Sequence, residues 1–147
     1  MKKLVVLAAV AMFLMTGSAI AANTNTVAVT AAVVGSCTIT GGSVAFGNLN
    51  AAGAGTVNGL VTQPSVTCSN LLPYTVTDDD GLNELAANAN RMASGGNFIQ
   101  YAFAYTAAGT GTGGAQNMDI AASIAEADYL GKAVGAYSDT VTLTVTP

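Results

Sequence analysis

Short runs of alternating apolar and polar residues recur along this chain and limit what it can fold into. In "NFIQYAFAY", residues 97–105, the large residues Ile99, Tyr101, Phe103 and Tyr105 fall on one face of a strand. After residue 21, no segment instead keeps a 3.6-residue apolar period between helix caps. The pattern therefore predicts an all-β fold.

Glycine, asparagine and aspartate separate these runs and mark the turns between strands. We predict strands over Thr26–Val34, Ser36–Thr40, Ser43–Phe46, Val57–Cys68, Tyr74–Thr77, Arg91–Ala93, Asn97–Tyr105 and Thr140–Thr146. Residues 106–117 are rich in glycine and predict a flexible loop. Residues 120–137 are less clear: the spacing of Ile120, Ile124 and Leu130 permits one or two helical turns or an irregular crossover.

The first residues of the chain are typical of a secretory signal peptide. Lys2 and Lys3 precede an apolar block over residues 4–15, too short to cross a bilayer core of about 30 Å. The Ala19-Ile20-Ala21 sequence that follows is a small-residue cleavage site, so we expect cleavage after Ala21, with Ala22 as the neighbouring alternative. Removing residues 1–21 from 147 leaves 126 residues, the length of one domain.

Charge and composition argue against nucleic-acid binding and against most catalysis. The exported chain keeps Arg91 and Lys132 as its bases against eight acidic residues, a net charge of −6. Nucleic-acid binding needs clustered bases, so nucleic acid is excluded as a partner. Histidine is absent, which removes the usual base that activates a nucleophile. We therefore predict no catalytic, cofactor-binding or metal-binding residues, and no enzyme activity.

Two acidic groups could carry other chemistry. Asp78, Asp79 and Asp80 before Gly81 lack the alternating spacing of an EF-hand loop, so a solvated acidic turn is favoured over a metal site. Glu84, Glu126 and Asp128 could supply paired hydrolytic carboxylates, but no aromatic sugar platform is indicated near them.

Cysteine and tyrosine placement suggests two structural roles. An even count of two cysteines, Cys37 and Cys68, favours one disulfide in an exported chain, the alternative being two buried free thiols. Tyr137 stands shortly before the last predicted strand, where a sandwich tyrosine often bonds back to the backbone.

The N-terminal segment, residues 22–35, raises the question that decides function. Val27, Val29, Ala31 and Val33 share one face of a strand at period two. Left free, this row would expose apolar side chains and unpaired backbone groups, which edge strands normally avoid. The segment therefore completes either its own sheet or that of another molecule.

Several motifs stand in the order found in the spore coat protein U domain family, which the chain resembles over nearly all of its exported length. They are "GSCTI" after the N-terminal segment, "VAFGN", "VTCSN", "PYTV" with "DDGLN", "NRMA" followed by "IQYAFAY", and the closing "GAYSDTVTLTV". This family includes the main subunits of archaic chaperone-usher pili.

The resemblance implies an incomplete immunoglobulin-like Greek-key β-sandwich over residues 36–147, completed by donor-strand exchange. In that family a periplasmic chaperone first lends the missing strand, and the N-terminal segment of the next subunit then replaces it. The implied donor residues are Val27, Val29, Ala31 and Val33. The implied disulfide joins Cys37 to Cys68, and the implied acceptor groove includes Val141, Leu143 and Val145. Ala31 is smaller than the apolar residue expected at a donor position.

Two functions follow as hypotheses. The first is a pilus subunit that polymerises head-to-tail with copies of itself, exported through the periplasm to the cell surface by a chaperone and an outer-membrane usher, for adhesion and biofilm formation. Its single domain favours the shaft over the tip. The alternative is a secreted coat or matrix sandwich that pairs its own N-terminal strand and does not polymerise.

Overall fold

The computed structural model describes residues 22–53 and 55–147, which fall into two units. The first unit ends at Ala32 and the second runs from Val33 to Pro147. The predicted signal peptide, residues 1–21, lies outside the described residues.

In the first unit, residues 22–32 form no helix or strand, and all of them are exposed. Val27 and Val29 are 84% and 90% exposed. At the start of the second unit, Val33 is 96% exposed and also belongs to no strand. The strand predicted over Thr26–Val34 is thus wrong for the single chain, because alternation alone does not make a strand without a hydrogen-bonding partner.

Within its described residues, the second unit forms thirteen short strands and one helical turn. In chain order they are β1 Cys37–Ile39, β2 Ser43–Ala45, β3 Val57–Asn58, β4 Leu60–Thr62, β5 Ser65–Cys68, β6 Pro73–Asp78, β7 Arg91–Ser94, β8 Asn97–Gln100, β9 Ala102–Tyr105, β10 Ala108–Thr110, β11 Ala115–Asn117, β12 Ile120–Ile124, α1 Glu126–Tyr129 and β13 Leu143–Thr146.

The strands build three small antiparallel sheets of three strands and two antiparallel pairs. The sheet orders are β1-β5-β11, β10-β6-β13 and β3-β12-β9, and the pairs are β2-β4 and β7-β8. Neighbours in these sheets come from distant parts of the chain, as crossed sandwich connections require. The predicted all-β class is confirmed.

One core lies between the first two sheets. Val66 and Cys68 of β5 pack in one cluster with Tyr74 and Val76 of β6, and Ile120 of β12 joins them. A second core gathers Ile99, Ile124 and Tyr129. Apolar side chains of both inner faces therefore meet as in a β-sandwich.

The disulfide between Cys37 and Cys68 is confirmed. The antiparallel register places Cys37 of β1 directly opposite Cys68 of β5, with 2.01 Å between the sulfurs and 4.1 Å between the Cα atoms. The bridge ties the first strand of the sandwich to the centre of its sheet.

Three predicted strands are shorter than their alternation suggested. Val57–Cys68 is broken into β3, β4 and β5 by Gly59, whose N–H donates to Ala122 O (2.9 Å), and by the buried Pro64. Asn97–Tyr105 divides at Tyr101, whose N–H donates to Asn90 O (3.1 Å). The last strand begins at Leu143 rather than Thr140.

The prediction for residues 106–137 missed three strands. The glycine-rich stretch contains β10 and β11, which pair with β6 and β5. Residues 120–124 form β12, because a spacing of four residues also fits period two once Ala122 is buried between Ile120 and Ile124. The single turn α1 is the part of the helical prediction that the structure confirms.

Candidate functional site

A cleft of about 630 Å³ opens beside the last strand of the second unit. One wall is the segment from Ile39 to Phe46, which contains β2, and the other runs from Tyr137 to Leu143 at the start of β13. Phe103 of β9 and Ile120 of β12 line the cleft between these walls. The cleft is therefore bounded by the first and last strand regions of the sandwich.

Several apolar residues that line the cleft are less covered than the centre of the core, although Ile120 and Pro64, which also line it, are buried. Ile39, Phe103 and Leu143 are half-buried although they pack against the first core cluster, whereas Val66 and Val76 in that cluster are 0% and 3% exposed. Removing the remaining apolar surface from water would contribute roughly 25 cal/mol per Å². The core is thus left open along this side.

The strands that border the cleft carry unpaired edges. Among the described strands, β13 pairs with β6 alone, β1 with β5 alone and β2 with β4 alone. Cα atoms of β1 and β13 come within 8 Å of each other without strand pairing. A strand seated between two others needs about twice the ~4.8 Å strand spacing, so this end of the cleft must widen slightly to accept one.

Asp139 is the charged side chain among the residues that line the cleft. Its carboxylate accepts hydrogen bonds from Tyr101 Oη (2.8 Å), Leu82 N (3.0 Å) and Asn83 Nδ2 (3.2 Å). Burial raises the pKa of the Tyr101 hydroxyl, and the bond to Asp139 raises it further. The carboxylate therefore joins the 82–83 loop to the wall of the cleft.

Asp79 holds the same wall at Thr142. Its Oδ1 accepts the backbone N–H of Thr142 (2.8 Å) and of Gly81 (3.0 Å). The bond from Thr142 is the main reason why the pKa of Asp79 lies below its ordinary value. Since the β6–β13 register ends at Asp78 opposite Leu143, this side chain takes the place of the next backbone bond.

The acidic turn predicted after β6 is present, but its carboxylates do more than face water. Asp80 and Gly81 have φ of 58° and 88°, the left-handed geometry of a turn. Asp80 Oδ1 accepts the N–H of Asn88 (2.9 Å). Within residues 22–53 and 55–147, no three His, Cys, Asp or Glu residues are grouped so as to hold a metal ion.

The structure places the predicted site residues in two different settings. Val141 and Leu143 line the cleft, while Val145 is half-buried against the first core cluster. The proposed donor residues are exposed: Val27, Val29, Ala31 and Val33.

Sequence reasoning did not identify the opposite wall or the floor of the cleft. Val44, Phe46 and Met92 line it together with Phe103 and Ile120. The sequence predicted a strand over Ser43–Phe46, but nothing in the pattern indicated that Val44 and Phe46 line a cleft with the residues before the last strand. The Tyr137 prediction is confirmed, since its hydroxyl donates to Ala133 O (2.9 Å).

The second unit is thus an antiparallel β-sandwich with an open cleft beside its last strand. The Spore Coat Protein U domain family matches residues 23–144, and the chain belongs to that family. The resemblance stated from the motifs is thereby confirmed.

The chain is also similar to a chain in the crystal structure of the CsuC-CsuE chaperone-tip adhesion subunit pre-assembly complex from archaic chaperone-usher Csu pili of Acinetobacter baumannii. The identity is 23% and the TM-score 0.49, with 77% of this chain and 40% of that chain covered. This chain therefore spans less than half the length of that one. A sequence search found no match among curated proteins. No helix in the described part of the chain has the length and apolar character to span a membrane.

Proposed function

We propose that this protein is a structural subunit that polymerises by strand donation into a pilus shaft. Residues 22–35 act as the donor, and residues 36–147 form the domain that accepts the same segment from another copy. The observation that carries the proposal is the cleft beside β13, which is bordered by unpaired strand edges and whose lining includes the half-buried side chains Ile39, Phe103 and Leu143.

The N-terminal segment has the properties that such a cleft requires. Val27, Val29 and Val33 would share one face of an extended strand, and all three are exposed in the single chain. In an extended strand, the seven residues from Val27 to Val33 span about 20 Å. Because residues 23–35 carry no charged side chain, burial of this segment places no ionised side chain inside the sandwich.

A guest strand would satisfy both needs of the acceptor. Its backbone would pair with the free edge of β13, and its apolar face would cover side chains such as Leu143 and Phe103. Donor and acceptor are different surfaces of the same chain, so the contact is head-to-tail and does not close on itself. Repeating it produces a filament.

Export requires that the open cleft be protected before assembly, because exposed apolar surface and free edges aggregate. We infer that a periplasmic chaperone supplies a temporary strand and that an outer-membrane usher exchanges it for the next subunit, as the resemblance implies. The finished product is a cell-surface pilus that contributes to adhesion and biofilm formation. The role is structural rather than enzymatic.

The alternative, a self-complemented coat or matrix protein, requires the N-terminal residues to form a buried strand. Residues 22–36 form no strand in the described structure, and the valines among them are exposed. No observation favours this alternative over polymerisation.

Deletion of residues 23–34 tests the proposal. The truncated chain should accept a strand but give none, so electron microscopy of cells that express it should show no fibres. A matched control replaces Ala28 and Ala32, on the opposite face of the segment, with serine and should still form fibres. Long fibres from the truncated chain would overturn the proposal.

A further inference from the structure

Gly59, between β3 and β4, lies beside two side chains of the cleft. Val44 of β2 and Phe46 line the cleft and are half-buried, whereas Gly59 itself does not line it. A Cβ atom built on Gly59 would overlap Val44 Cγ1 and would lie 3.3 Å from Phe46 Cε1. Any side chain at position 59 therefore competes for the space that these two residues occupy.

Backbone conformation does not explain this glycine. Gly47 and Gly55 have φ of +66° and +77° with no heavy atom within 4 Å of a built Cβ, so conformation alone accounts for them. Gly59 is the reverse case, since its φ lies outside the left-handed region and its neighbours are too close. What position 59 requires is the absence of a side chain.

Neighbouring contacts decide which group would move if a side chain were added. Gly59 N–H donates to Ala122 O (2.9 Å), which anchors it to β12, the central strand of its sheet. Among the described strands, β2 pairs with β4 alone, so its second edge is not held by a neighbouring strand. Val44 and Phe46 would therefore shift into the cleft, and Val44 cannot easily turn aside because β-branching restricts its χ1.

We infer that Gly59 is a positioning residue that sets the depth of the cleft and thereby selects branched aliphatic side chains in the guest strand. This inference rests on the proposed function. With Gly59, Val44 and Phe46 sit back and leave room for a valine of the guest. With a larger residue at 59, the same cleft would suit a guest whose inward side chains are no larger than alanine.

Peptide binding to a full-length acceptor tests the inference. The reference acceptor is the exported chain with Val29→Asp, which keeps its N-terminal segment but cannot donate it. The probes are a synthetic peptide of residues 23–34 and the same peptide with Val27, Val29 and Val33 replaced by alanine. Gly59→Ala should weaken binding of the valine peptide by about tenfold, the scale of one methyl group in an apolar pocket, and weaken the alanine peptide much less.

Two further variants separate cleft depth from a general effect on folding. Gly96→Ala is the matched control, since a Cβ there meets nothing within 4 Å and φ is not in the left-handed region; it should bind both peptides as the reference does. Gly59→Ala combined with Val44→Ala should regain the preference for the valine peptide, even if Gly59→Ala alone folds poorly.

The outcomes distinguish the inference from the proposed function. A reference chain that binds neither peptide overturns the proposed function. A reference chain that binds, with Gly59→Ala weakening both peptides equally or neither, overturns the role of Gly59 alone. A double variant that folds without regaining the preference also overturns it.

Discussion

Two aspartates, Asp79 and Asp139, show what single side chains contribute to the cleft. Both accept backbone N–H groups of a neighbouring segment, Asp79 from Thr142 and Asp139 from Leu82. They join the loop after β6 to the residues that precede β13. A loop that reads as a solvated turn in the sequence therefore positions one wall of the cleft.

Replacing Asp79 should loosen that wall in a pH-dependent way. Because its pKa is lowered, the carboxylate stabilises the fold above its ordinary pKa of 3.8 and ceases to do so as the pH falls through the lowered value. At neutral pH, Asp79→Ala should reduce the free energy of unfolding by up to about 1 kcal/mol at this exposed site. Denaturant unfolding in the Val29→Asp background, with and without Asp79→Ala, measures this loss.

The comparison across pH supplies the decisive control. The difference in free energy of unfolding between the chains with and without Asp79 should shrink in acid. Asp119 is an exposed carboxylate outside this network, so Asp119→Ala should change the free energy of unfolding little. If Asp79→Ala lowered the free energy of unfolding by the same amount at neutral and acidic pH, the charge-assisted bond from Thr142 N–H to the Asp79 carboxylate would be contradicted.

Alternation in the N-terminal segment leads to a second prediction about single residues. Val29→Asp should abolish fibres, since an unpaired carboxylate buried in the cleft costs several kcal/mol. Thr30→Asp, one residue further on the opposite face, should leave fibre formation intact. Fibre counts by electron microscopy compare the two, and equal loss in both variants would exclude a strand with one buried face.

Among the strands, β1 and β13 decide whether the cleft exists. The first is held by its pairing with β5 and by the Cys37–Cys68 bridge, and the second by β6. Each has its other edge unpaired among the described strands. A three-residue strand such as β1 has few backbone bonds of its own, so its position depends strongly on the disulfide.

Removing the disulfide should therefore weaken both the fold and strand binding. The bridge closes a separation of 31 residues, for which the chain-entropy model gives about 3 to 4 kcal/mol. Replacing Cys37 and Cys68 with alanine should lower the free energy of unfolding by that amount and weaken binding of the 23–34 peptide. The matched comparison is the unfolding of the parent chain in its oxidised and reduced forms. An equal free energy of unfolding in the two forms would contradict a stabilising role for the disulfide.

For the assembled molecule, completion of the sandwich should appear as a large gain in stability. A ligand that binds only the folded state stabilises it by mass action, and a permanently seated strand is the limiting case. Fibres should therefore run as ladders of oligomers on a denaturing gel before boiling, while the Val29→Asp chain runs as a monomer. A wild-type chain that melts at the same temperature as Val29→Asp would contradict strand donation.

Local patterns allowed much of the fold to be predicted. Period-two alternation identified the regions of β1, β2, β6, β7 and β13, and cysteine count favoured the disulfide. Alternation could not show that Gly59 and Pro64 divide one long run into three strands, nor that the glycine-rich residues 106–117 pair with β5 and β6. Those outcomes depend on partners far away in the chain.

The amino-acid sequence by itself determined which residues alternate, where the chain can turn and which side chains are available to line a cleft, because these are properties of neighbouring residues. Only the tertiary structure decided that Val44 and Phe46 line the same cleft as the segment before β13. It also decided that the Asp79 carboxylate accepts the Thr142 N–H next to Leu143, where the β6–β13 pairing stops, and that one edge each of β1 and β13 stays unpaired among the described strands. Strand pairing joins residues distant in the chain, and its cost and gain depend on how every other strand is placed.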